Sequence, residues 1–172
     1  MADRHGQTAG FTLIELIVTV LVLAIVAALA IPAMQDLVRN NRVSSQHNEL
    51  RTLIALARAE AIRRNESVVV DLLSSASGWQ ARVREPGQPP DPDAGCADIP
   101  GVIRCIEHRH VSLEFDAETI EFNNRGYLQQ ASEEWMAVTI VMAHHDCSGA
   151  LQAREMLILP TGQVVSERIE CP

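Results

Sequence analysis

One stretch near the N-terminus constrains this chain more than any other feature of its sequence. From Phe11 to Ile31 there are 21 residues and a single charged side chain, that of Glu15. As an α-helix this stretch is about 31 Å long, which matches the hydrocarbon core of a bilayer. Because such a helix has no polar face to turn towards water, we expect it to cross a membrane rather than to lie in the core of a globular domain.

A cleaved secretory signal peptide is the alternative interpretation of the same stretch. Ala28-Leu29-Ala30 fits a small-x-small cleavage site, but Arg4 is the only arginine or lysine before the apolar run. Glu15 also fits a signal peptide poorly, because it falls at the start of the apolar run. A lone carboxylate inside an apolar span costs about 3 kcal/mol, less near the interface, and usually has a partner. A free α-amino group on Phe11, created by cleavage before this residue, would be such a partner, in the same chain or in a neighbouring helix of a bundle.

Charge is distributed unevenly along the 172 residues, whose formal net charge is −8. Residues 65–172 carry 7 arginines and 17 acids, a net charge of 7 − 17 = −10, whereas residues 11–64 carry 6 arginines and 4 acids, a net charge of +2. Aromatic residues make up only 3% of the chain. An acidic domain with few aromatic side chains argues against nucleic-acid binding through phosphate contacts or base stacking.

The residues after Pro32 are predicted to continue as an amphipathic helix. Apolar residues recur at spacings of three and four, or sums of these, and Glu60 precedes Arg63 and Arg64 by three and four residues. Asn65 and the β-branched run that follows it predict the helix end at residue 64, and Pro32 predicts a bend because proline removes a backbone hydrogen bond. The residues of the predicted apolar stripe are Met34, Leu37, Val38, Leu50, Ile54, Ala57 and Ala61.

Residues 66–172 are predicted to form strands joined by turns, so the expected fold class is α+β, with a long N-terminal helix packed on antiparallel β-sheets. Five prolines from Pro86 to Pro100 exclude a strand or helix there and predict a long surface loop. Gly126 and Gly162 are expected in tight turns. The predicted strands are Ser67–Leu73, Trp79–Arg84, Val102–Ile106, Val111–Phe115, Thr119–Phe122, Met136–Met142, Glu155–Leu159 and Gln163–Glu167.

Four cysteines, all C-terminal to the apolar stretch, allow three disulfide pairings; they are Cys96, Cys105, Cys147 and Cys171. We favour Cys96–Cys105, which would close the proline-rich loop, and Cys147–Cys171, which would fasten the C-terminal tail. Both require an oxidising compartment. The alternative is a zinc site shared with histidines, but the cysteines lack C-x-x-C spacing. The histidines of this alternative are His108 and His110, expected on one face of a strand, and His144 and His145. We expect no metal and no cofactor.

The candidate catalytic residues have simpler explanations. His144-His145-Asp146-Cys147 resembles a nucleophile with its base, but an even number of cysteines in an oxidising compartment favours a disulfide over a reactive thiol. Asp91, Asp93 and Asp98 are interpreted as solvated loop residues rather than a Ca²⁺ site, and Glu133 and Glu134 as turn residues. The chain has no G-x-S-x-G, H-E-x-x-H or phosphate-binding motif, so we expect that it is not an enzyme.

The segment Gly10-Phe11-Thr12-Leu13-Ile14-Glu15-Leu16 resembles the class III signal of type IV pilins and pseudopilins. In that family a prepilin peptidase cuts after the glycine and N-methylates the new N-terminal phenylalanine, and the hydrophobic helix is retained. The resemblance implies cleavage between Gly10 and Phe11, N-methylation of Phe11, and a helix kink at Pro32. It also implies a docking role for Glu15, which would neutralise the N-terminal amine of a neighbouring subunit.

The sequence from Leu37 to Asn65 resembles the FimT/FimU/GspH branch of minor pilins, in which similar residues close the helix, and the turns at Gly126 and Gly162 resemble turns of the same branch. The resemblance implies four segments: a prepilin leader that is removed, a transmembrane and filament-core helix, an amphipathic helix packed on the head, and a periplasmic β-rich head domain. Their expected bounds are 1–10, 11–32, 33–65 and 66–172.

The implied function is that of a minor pilin of a type IV pilus, a structural subunit that primes assembly or sits at the tip and docks by its hydrophobic helix. Its expected partners are prepilin peptidase, other minor and major pilins, and the inner membrane, which it would cross once with its head in the periplasm before assembly into a pilus or pseudopilus. Two alternatives stay open: a pseudopilin of a type II secretion system, and a DNA-binding minor pilin for natural transformation. Nucleic acid is the disfavoured partner, because Arg168 is the only arginine between Gly162 and Pro172 and lies beside Glu167 and Glu170.

Overall fold

The computed structural model describes residues 11–87, 96, 100–129, 137–149 and 151–171. Within these residues the chain forms one helix, α1 (Leu13–Arg64), and nine β-strands. The chain divides into two compact units, residues 1–37 and 38–172. The second unit contains both sheets and the C-terminal part of α1.

Helix α1 begins and ends with capping interactions that its sequence explains. Thr12 precedes the helix, and its Oγ1 accepts a hydrogen bond from the backbone N–H of Glu15 at 3.3 Å, as N-cap residues do. At the other end Asn65 adopts a φ of 56°, and the N–H of Glu66 donates to the carbonyl of Ala61 at 3.3 Å. A left-handed residue therefore closes the last turn, and the helix end predicted at residue 64 is confirmed.

Two antiparallel sheets form the head, the part of the chain from residue 66 onwards. Sheet A has five strands in the order β3-β2-β1-β5-β6, and sheet B has four in the order β4-β7-β8-β9. The hairpin predicted between the first two strands is present, with Ser75 opposite Gly78. The strands are β1 Val68–Ser75, β2 Gly78–Arg84, β3 Val102–Arg109, β4 Val111–Phe115, β5 Thr119–Phe122, β6 Leu128–Gln129, β7 Val138–His144, β8 Ala153–Ile158 and β9 Val164–Ile169.

A single hydrophobic cluster joins α1 to both sheets. From Val43 onwards the helix presents a buried face at helical spacing, formed by Val43, Leu50, Leu53, Ile54, Ala57 and Ala61. The same cluster contains inward-facing residues of both sheets, such as Phe122 of sheet A and Met156 of sheet B, each with no exposed surface. The predicted packing of a long helix on antiparallel sheets is confirmed.

The predicted apolar stripe of α1 is only partly buried. Its last four residues lie in the core, but Met34, Leu37 and Val38 are 61%, 54% and 51% exposed. Helical spacing shows which residues share a face, but it does not show where along the helix that face is covered. In this chain burial begins at Val43.

The eight predicted strands are all present, β4 and β5 with the predicted ends and the other six with shifted ends, and one further strand was missed. β3 continues three residues beyond its predicted end, to Arg109, while β6 has only two residues and leaves no periodic pattern in the sequence. Met136, the predicted first residue of a strand, and most of the proline-rich loop lie outside the described residues.

Candidate assembly site

The predicted docking residues lie at the N-terminal end of α1. Glu15 is in the first turn of the helix, where the helix dipole stabilises a carboxylate. Thr12 caps the backbone N–H of Glu15, but the carboxylate itself makes no hydrogen bond or ion pair with any residue that the structure describes. Phe11 is 75% exposed, and Gly10 lies outside the described residues. Among the described residues the Glu15 carboxylate therefore has no partner.

Large apolar side chains surround this part of α1 on every side. Each of them from Phe11 to Ile31 is at least half exposed, and none of the described residues up to Leu37 is buried. An 18-residue window of the helix has a mean hydropathy of 2.9, so α1 is long and apolar enough to cross a membrane. An apolar surface of this extent needs lipid or other apolar helices to cover it.

Pro32 lies inside α1, and the helix continues through it. Proline has no backbone N–H to donate and its ring crowds the preceding turn, which weakens a helix interior by about 3 kcal/mol. The kink at Pro32 stays a prediction.

Gln46 and Glu49 attach α1 to sheet A. The buried indole Nε1–H of Trp79 donates to Gln46 Oε1 at 2.9 Å, and the amide of Gln46 donates to the carbonyl of Arg109 at 3.3 Å. The ring of His108 lies 5.2 Å from that of Trp79, centroid to centroid, and its Nε2 is 2.7 Å from Glu49 Oε2. The helix is thus held at the end of sheet A where β2 begins and β3 ends.

Arg58 attaches α1 to turns of both sheets. Its Nε–H donates to the carbonyl of Gly126, in the turn between β5 and β6, at 3.0 Å. Gly162, in the turn between β8 and β9, has a φ of 75°, and a Cβ on this residue would lie 2.2 Å from the carbonyl oxygen of Gly126. The N–H of Leu128 donates to the carbonyl of Pro160 at 2.9 Å and joins the two turns directly. Position 162 requires glycine both for its φ and for this close approach.

A third set of contacts joins α1 to sheet B. Asn40 Oδ1 accepts a hydrogen bond from the N–H of Gln152 at 3.0 Å, and Arg154 donates to Ser44 Oγ at 2.8 Å. His47 is only 2% exposed, and its burial, reinforced by the charge of Arg154, lowers the pKa of the imidazole. The ring is therefore neutral in the folded protein at neutral pH.

The attachment residues Gln46, Glu49 and Arg58 were not predicted from the sequence. Gln46 lies four residues before Leu50, and Arg58 lies four residues after Ile54, so both sit at the spacing of the apolar stripe. The sequence signal that could have identified Gln46 and Arg58 is that each is a polar residue at a position of the apolar stripe.

The structure joins Cys96 to Cys105 and Cys147 to Cys171, the pairing favoured from the sequence, with Cα–Cα distances of 5.4 Å and 5.6 Å. The first disulfide links the proline-rich segment to β3. The second links the end of the chain to the segment that follows β7. No cysteine is free, so no thiol is left for a nucleophile.

The histidines of the zinc and catalytic alternatives are not brought together. His108 contacts Glu49, whereas His110 follows the end of β3 with a φ of 69°, so the expectation that the two share a strand face was wrong. Burial lowers the pKa of His144, whose Nδ1 accepts a hydrogen bond from the N–H of Asp146 at 3.2 Å. Among the described residues no three potential ligands could hold a metal ion. Asp91, Asp93, Asp98, Glu133 and Glu134 lie outside those residues.

Comparison with known proteins identifies two families and one similar fold. Residues 46–162 match the family described as type II transport protein GspH, and residues 6–31 match the prokaryotic N-terminal methylation motif. The fold is similar to that of the type IV minor pilin FimU of Pseudomonas aeruginosa strain PAO1. The FimU crystal structure in space group P65 gives a TM-score of 0.52 at 17% sequence identity, and the match covers 72% of this chain and 91% of the FimU chain. The structure in space group P21 gives a TM-score of 0.51 at 17% identity, and the match covers 74% of this chain and 89% of the FimU chain. No curated protein matches this sequence.

These matches agree with the geometry of the site. The methylation motif contains Phe11, Glu15 and the exposed apolar surface, and the GspH match contains the attachment residues of α1 and most of both sheets. The matched family consists of structural pilin and pseudopilin subunits and is not an enzyme family. The GspH match covers more than half of this chain. The chain therefore belongs to the GspH family and is a type IV minor pilin or pseudopilin of the GspH/FimU branch.

Proposed function

We propose that this chain is a minor pilin of a type IV pilus, a structural subunit that docks by its apolar helix and primes assembly or sits at the tip. One observation carries the proposal: Glu15 is an unpartnered carboxylate, within the described residues, on a helix whose large apolar side chains are all exposed. In an apolar medium such a group costs about 3 kcal/mol until it finds a partner. The partner proposed is the N-methylated α-amino group of Phe11 on a neighbouring subunit, released when prepilin peptidase cuts after Gly10.

This pair would set the position of the subunit in a bundle of helices. Apolar side chains alone can slide along one another, because each register buries a similar area, whereas a charge pair is satisfied in one register only. Two unit charges about 4 Å apart attract each other by about 4 kcal/mol at an effective dielectric constant of 20, and by much less in water. Docking is therefore favoured inside the bundle. A kink at Pro32 would let the parts of the helix before and after Pro32 point in different directions, so that each could pack against a different neighbouring helix.

The proposed topology follows from the same segments. Residues 1–10 would be the cytoplasmic leader, residues 11–32 would cross the inner membrane once, and residues 33–65 and 66–172 would be the amphipathic helix and the periplasmic head. Both disulfides lie in the C-terminal segment, and disulfides form and persist in oxidising compartments such as the periplasm. The proposed partners are prepilin peptidase and the other minor and major pilins.

A pseudopilin of a type II secretion system is the second candidate function, and the GspH match itself favours it. The likeness to FimU, a type IV minor pilin, favours the pilus, although at 17% identity it establishes the fold alone. Deletion of the gene separates the two. Loss of surface pili with normal secretion supports the pilus, and loss of secreted proteins with normal pili supports the pseudopilus.

The docking role of Glu15 is tested by Glu15→Ala in cells that assemble the filament. We expect the variant to reach the membrane in normal amounts but to disappear from sheared filaments, because its apolar helix no longer selects a register. Thr19→Ala is the matched control: Thr19 is an exposed polar residue one turn further along, and its hydroxyl donates only to the carbonyl of Leu16. Normal incorporation of Glu15→Ala into filaments would overturn the proposal.

A further inference from the structure

A groove of about 580 Å³ lies between α1 and the turn that leads into β9, and we call it the α1–β9 groove. The residues of its helix wall recur at spacings of three and four, so they share one side of α1. They are Arg51, Ala55, Arg58, Ala59 and Ile62. The exposed side chain of Gln163 lies on the opposite wall. Positions 51 to 62 span about 16 Å of helix, so the groove is long enough to take several side chains of a partner.

The α1–β9 groove is positively charged, although the head around it is acidic. Two arginines and no carboxylate line the groove, whereas residues 65–172 carry a net charge of 7 − 17 = −10. Arg51 is exposed and makes no hydrogen bond or ion pair with any residue that the structure describes. Arg58 donates from Nε to the carbonyl of Gly126, but its two terminal nitrogens make no hydrogen bond within the same residues. Both guanidinium groups can therefore still bind a carboxylate.

Apolar and small side chains lie between and beyond these two arginines. Ala55 and Ala59 are exposed, and Ile62 is 50% exposed. A surface of this kind suits an amphipathic helix, which lays its apolar side chains into a groove and places its charges at the rim. It suits a nucleic acid poorly, because phosphate binding needs more cations than two and base stacking needs aromatic side chains, and the lining of the groove contains none.

The spacing of the two arginines specifies the partner further. Arg58 follows Arg51 by seven residues, so the two lie on the same side of α1, about 10 Å apart along its axis. A partner helix that lies along α1 would face both arginines if it carried two carboxylates seven residues apart. Helix α1 does not have this spacing: its acids, Glu15, Asp36, Glu49 and Glu60, are separated in turn by 21, 13 and 11 residues. The helix that fits this groove is therefore not α1 of a second copy.

We propose that the α1–β9 groove binds a helix of a different pilin subunit, one that carries two carboxylates seven residues apart. This inference rests on the proposed assembly function, because it gives the chemistry of the surface that a neighbouring subunit presents to the head. The apolar side chains of the groove supply contact area, while Arg51 and Arg58 select the partner and fix its register. The site thus joins unlike subunits, as the role of a minor pilin requires.

Photocrosslinking of the full chain, in cells that assemble the filament, tests the groove. Gln163 is replaced by the photoreactive residue p-benzoylphenylalanine, and the irradiated product is identified by its intact mass and its peptides. We expect one added pilin subunit of another sequence, linked through a segment with two acids seven residues apart. The matched control places the same photoreactive residue at Gln152, an exposed glutamine whose N–H donates to Asn40, outside the groove; this chain does not give the product.

A charge reversal in the chain with the photoreactive residue at position 163 tests the part played by the arginines. Arg51→Glu should lower the yield of the product at least about tenfold, because a carboxylate at position 51 repels the acids of the partner. Its urea midpoint should not change, since Arg51 is exposed and without a partner among the described residues. Arg42→Glu, an equal charge change at an exposed position of α1 outside the groove, leaves the yield unchanged. Replacing the partner carboxylate that faces position 51 by arginine restores the yield of Arg51→Glu.

The inference is overturned if the product contains a second copy of this chain, DNA or lipid, or if a crosslink within one chain leaves its intact mass unchanged. It is also overturned if Arg51→Glu and Arg42→Glu give equal yields. A second photoreactive chain, with the replacement at the exposed Val20 of the apolar helix, reports helix docking alone. Crosslinks to other pilins from position 20 but not from position 163 remove this inference and leave the proposed function standing, whereas crosslinks from neither position remove both.

Discussion

Replacing Gly162 by alanine tests whether the paired turns around Arg58 hold α1 to both sheets. A Cβ at position 162 would lie 2.2 Å from the carbonyl oxygen of Gly126 and 2.8 Å from Arg58 Nε. At a φ of 75° an alanine costs about 1–2 kcal/mol for its left-handed backbone. To make room, the Gly126 carbonyl or the Arg58 side chain must move, which breaks the hydrogen bond between them, worth about 1.5–3 kcal/mol because the donor is charged. We therefore expect a loss of about 2.5–5 kcal/mol in the free energy of unfolding.

Gly149→Ala is the matched control, because Gly149 has a φ of 63° but nothing within 4 Å of its would-be Cβ. We expect this variant to lose only the backbone contribution, about 1–2 kcal/mol. The assay is urea unfolding of the oxidised full chain in detergent micelles, followed by circular dichroism and compared at equal m-values. If Gly162→Ala lost no more stability than Gly149→Ala, the turn could shift without releasing Arg58, and the reasoning would be refuted.

Three further predictions use the same unfolding assay. Gln46→Met leaves the buried indole N–H of Trp79 without its acceptor, so we expect a loss of about 1–3 kcal/mol; an unchanged urea midpoint would contradict this. Burial lowers the pKa of His47 in the folded state below its unfolded value of 6.5, so just below pH 6.5 the unfolded chain binds a proton at this residue that the folded chain does not. The contribution of His47 to the free energy of unfolding is therefore complete above pH 6.5 and decreases as the pH falls below it. His47→Gln should flatten that acid slope, and an equal slope would show that other groups cause it. Replacing the Cys147–Cys171 pair by serines should lower the free energy of unfolding by about 3.5 kcal/mol, and replacing the Cys96–Cys105 pair by about 2.7 kcal/mol. The difference is expected because the two disulfides close loops with sequence separations of 24 and 9 residues. The opposite order would count against a loop-entropy origin of the stabilisation.

The elements of the fold could be predicted because each leaves a local pattern in the sequence. The apolar run from Phe11 to Ile31, the stripe that ends at Ala61 and the β-branched residues of β1 each specify one element by periodicity and length. The turn glycines Gly126 and Gly162 were recognisable too, and both adopt positive φ.

The surfaces of the head could not be predicted, because they depend on which residues of distant strands lie opposite one another. Nothing in the sequence places Glu114 in one row with Glu167, since β4 and β7 are not joined by a short turn that would fix their register. The same holds for Trp79 and Gln46, which are 33 residues apart and meet only when the helix packs on sheet A. Local patterns therefore gave the helix and strands, while the contacts between them came only from the structure.

The proposed assembly role requires that the apolar helix is retained and begins at a processed Phe11. Mass spectrometry of the chain isolated from membranes of cells that contain prepilin peptidase tests this directly, by the intact mass and the N-terminal peptide. We predict a polypeptide that begins at Phe11 and carries one methyl group on its α-amine, with Glu15 and the whole apolar stretch still present. A polypeptide that begins at Ile31 would contradict the account, because the helix would then have been removed as a signal peptide and no docking residue would remain.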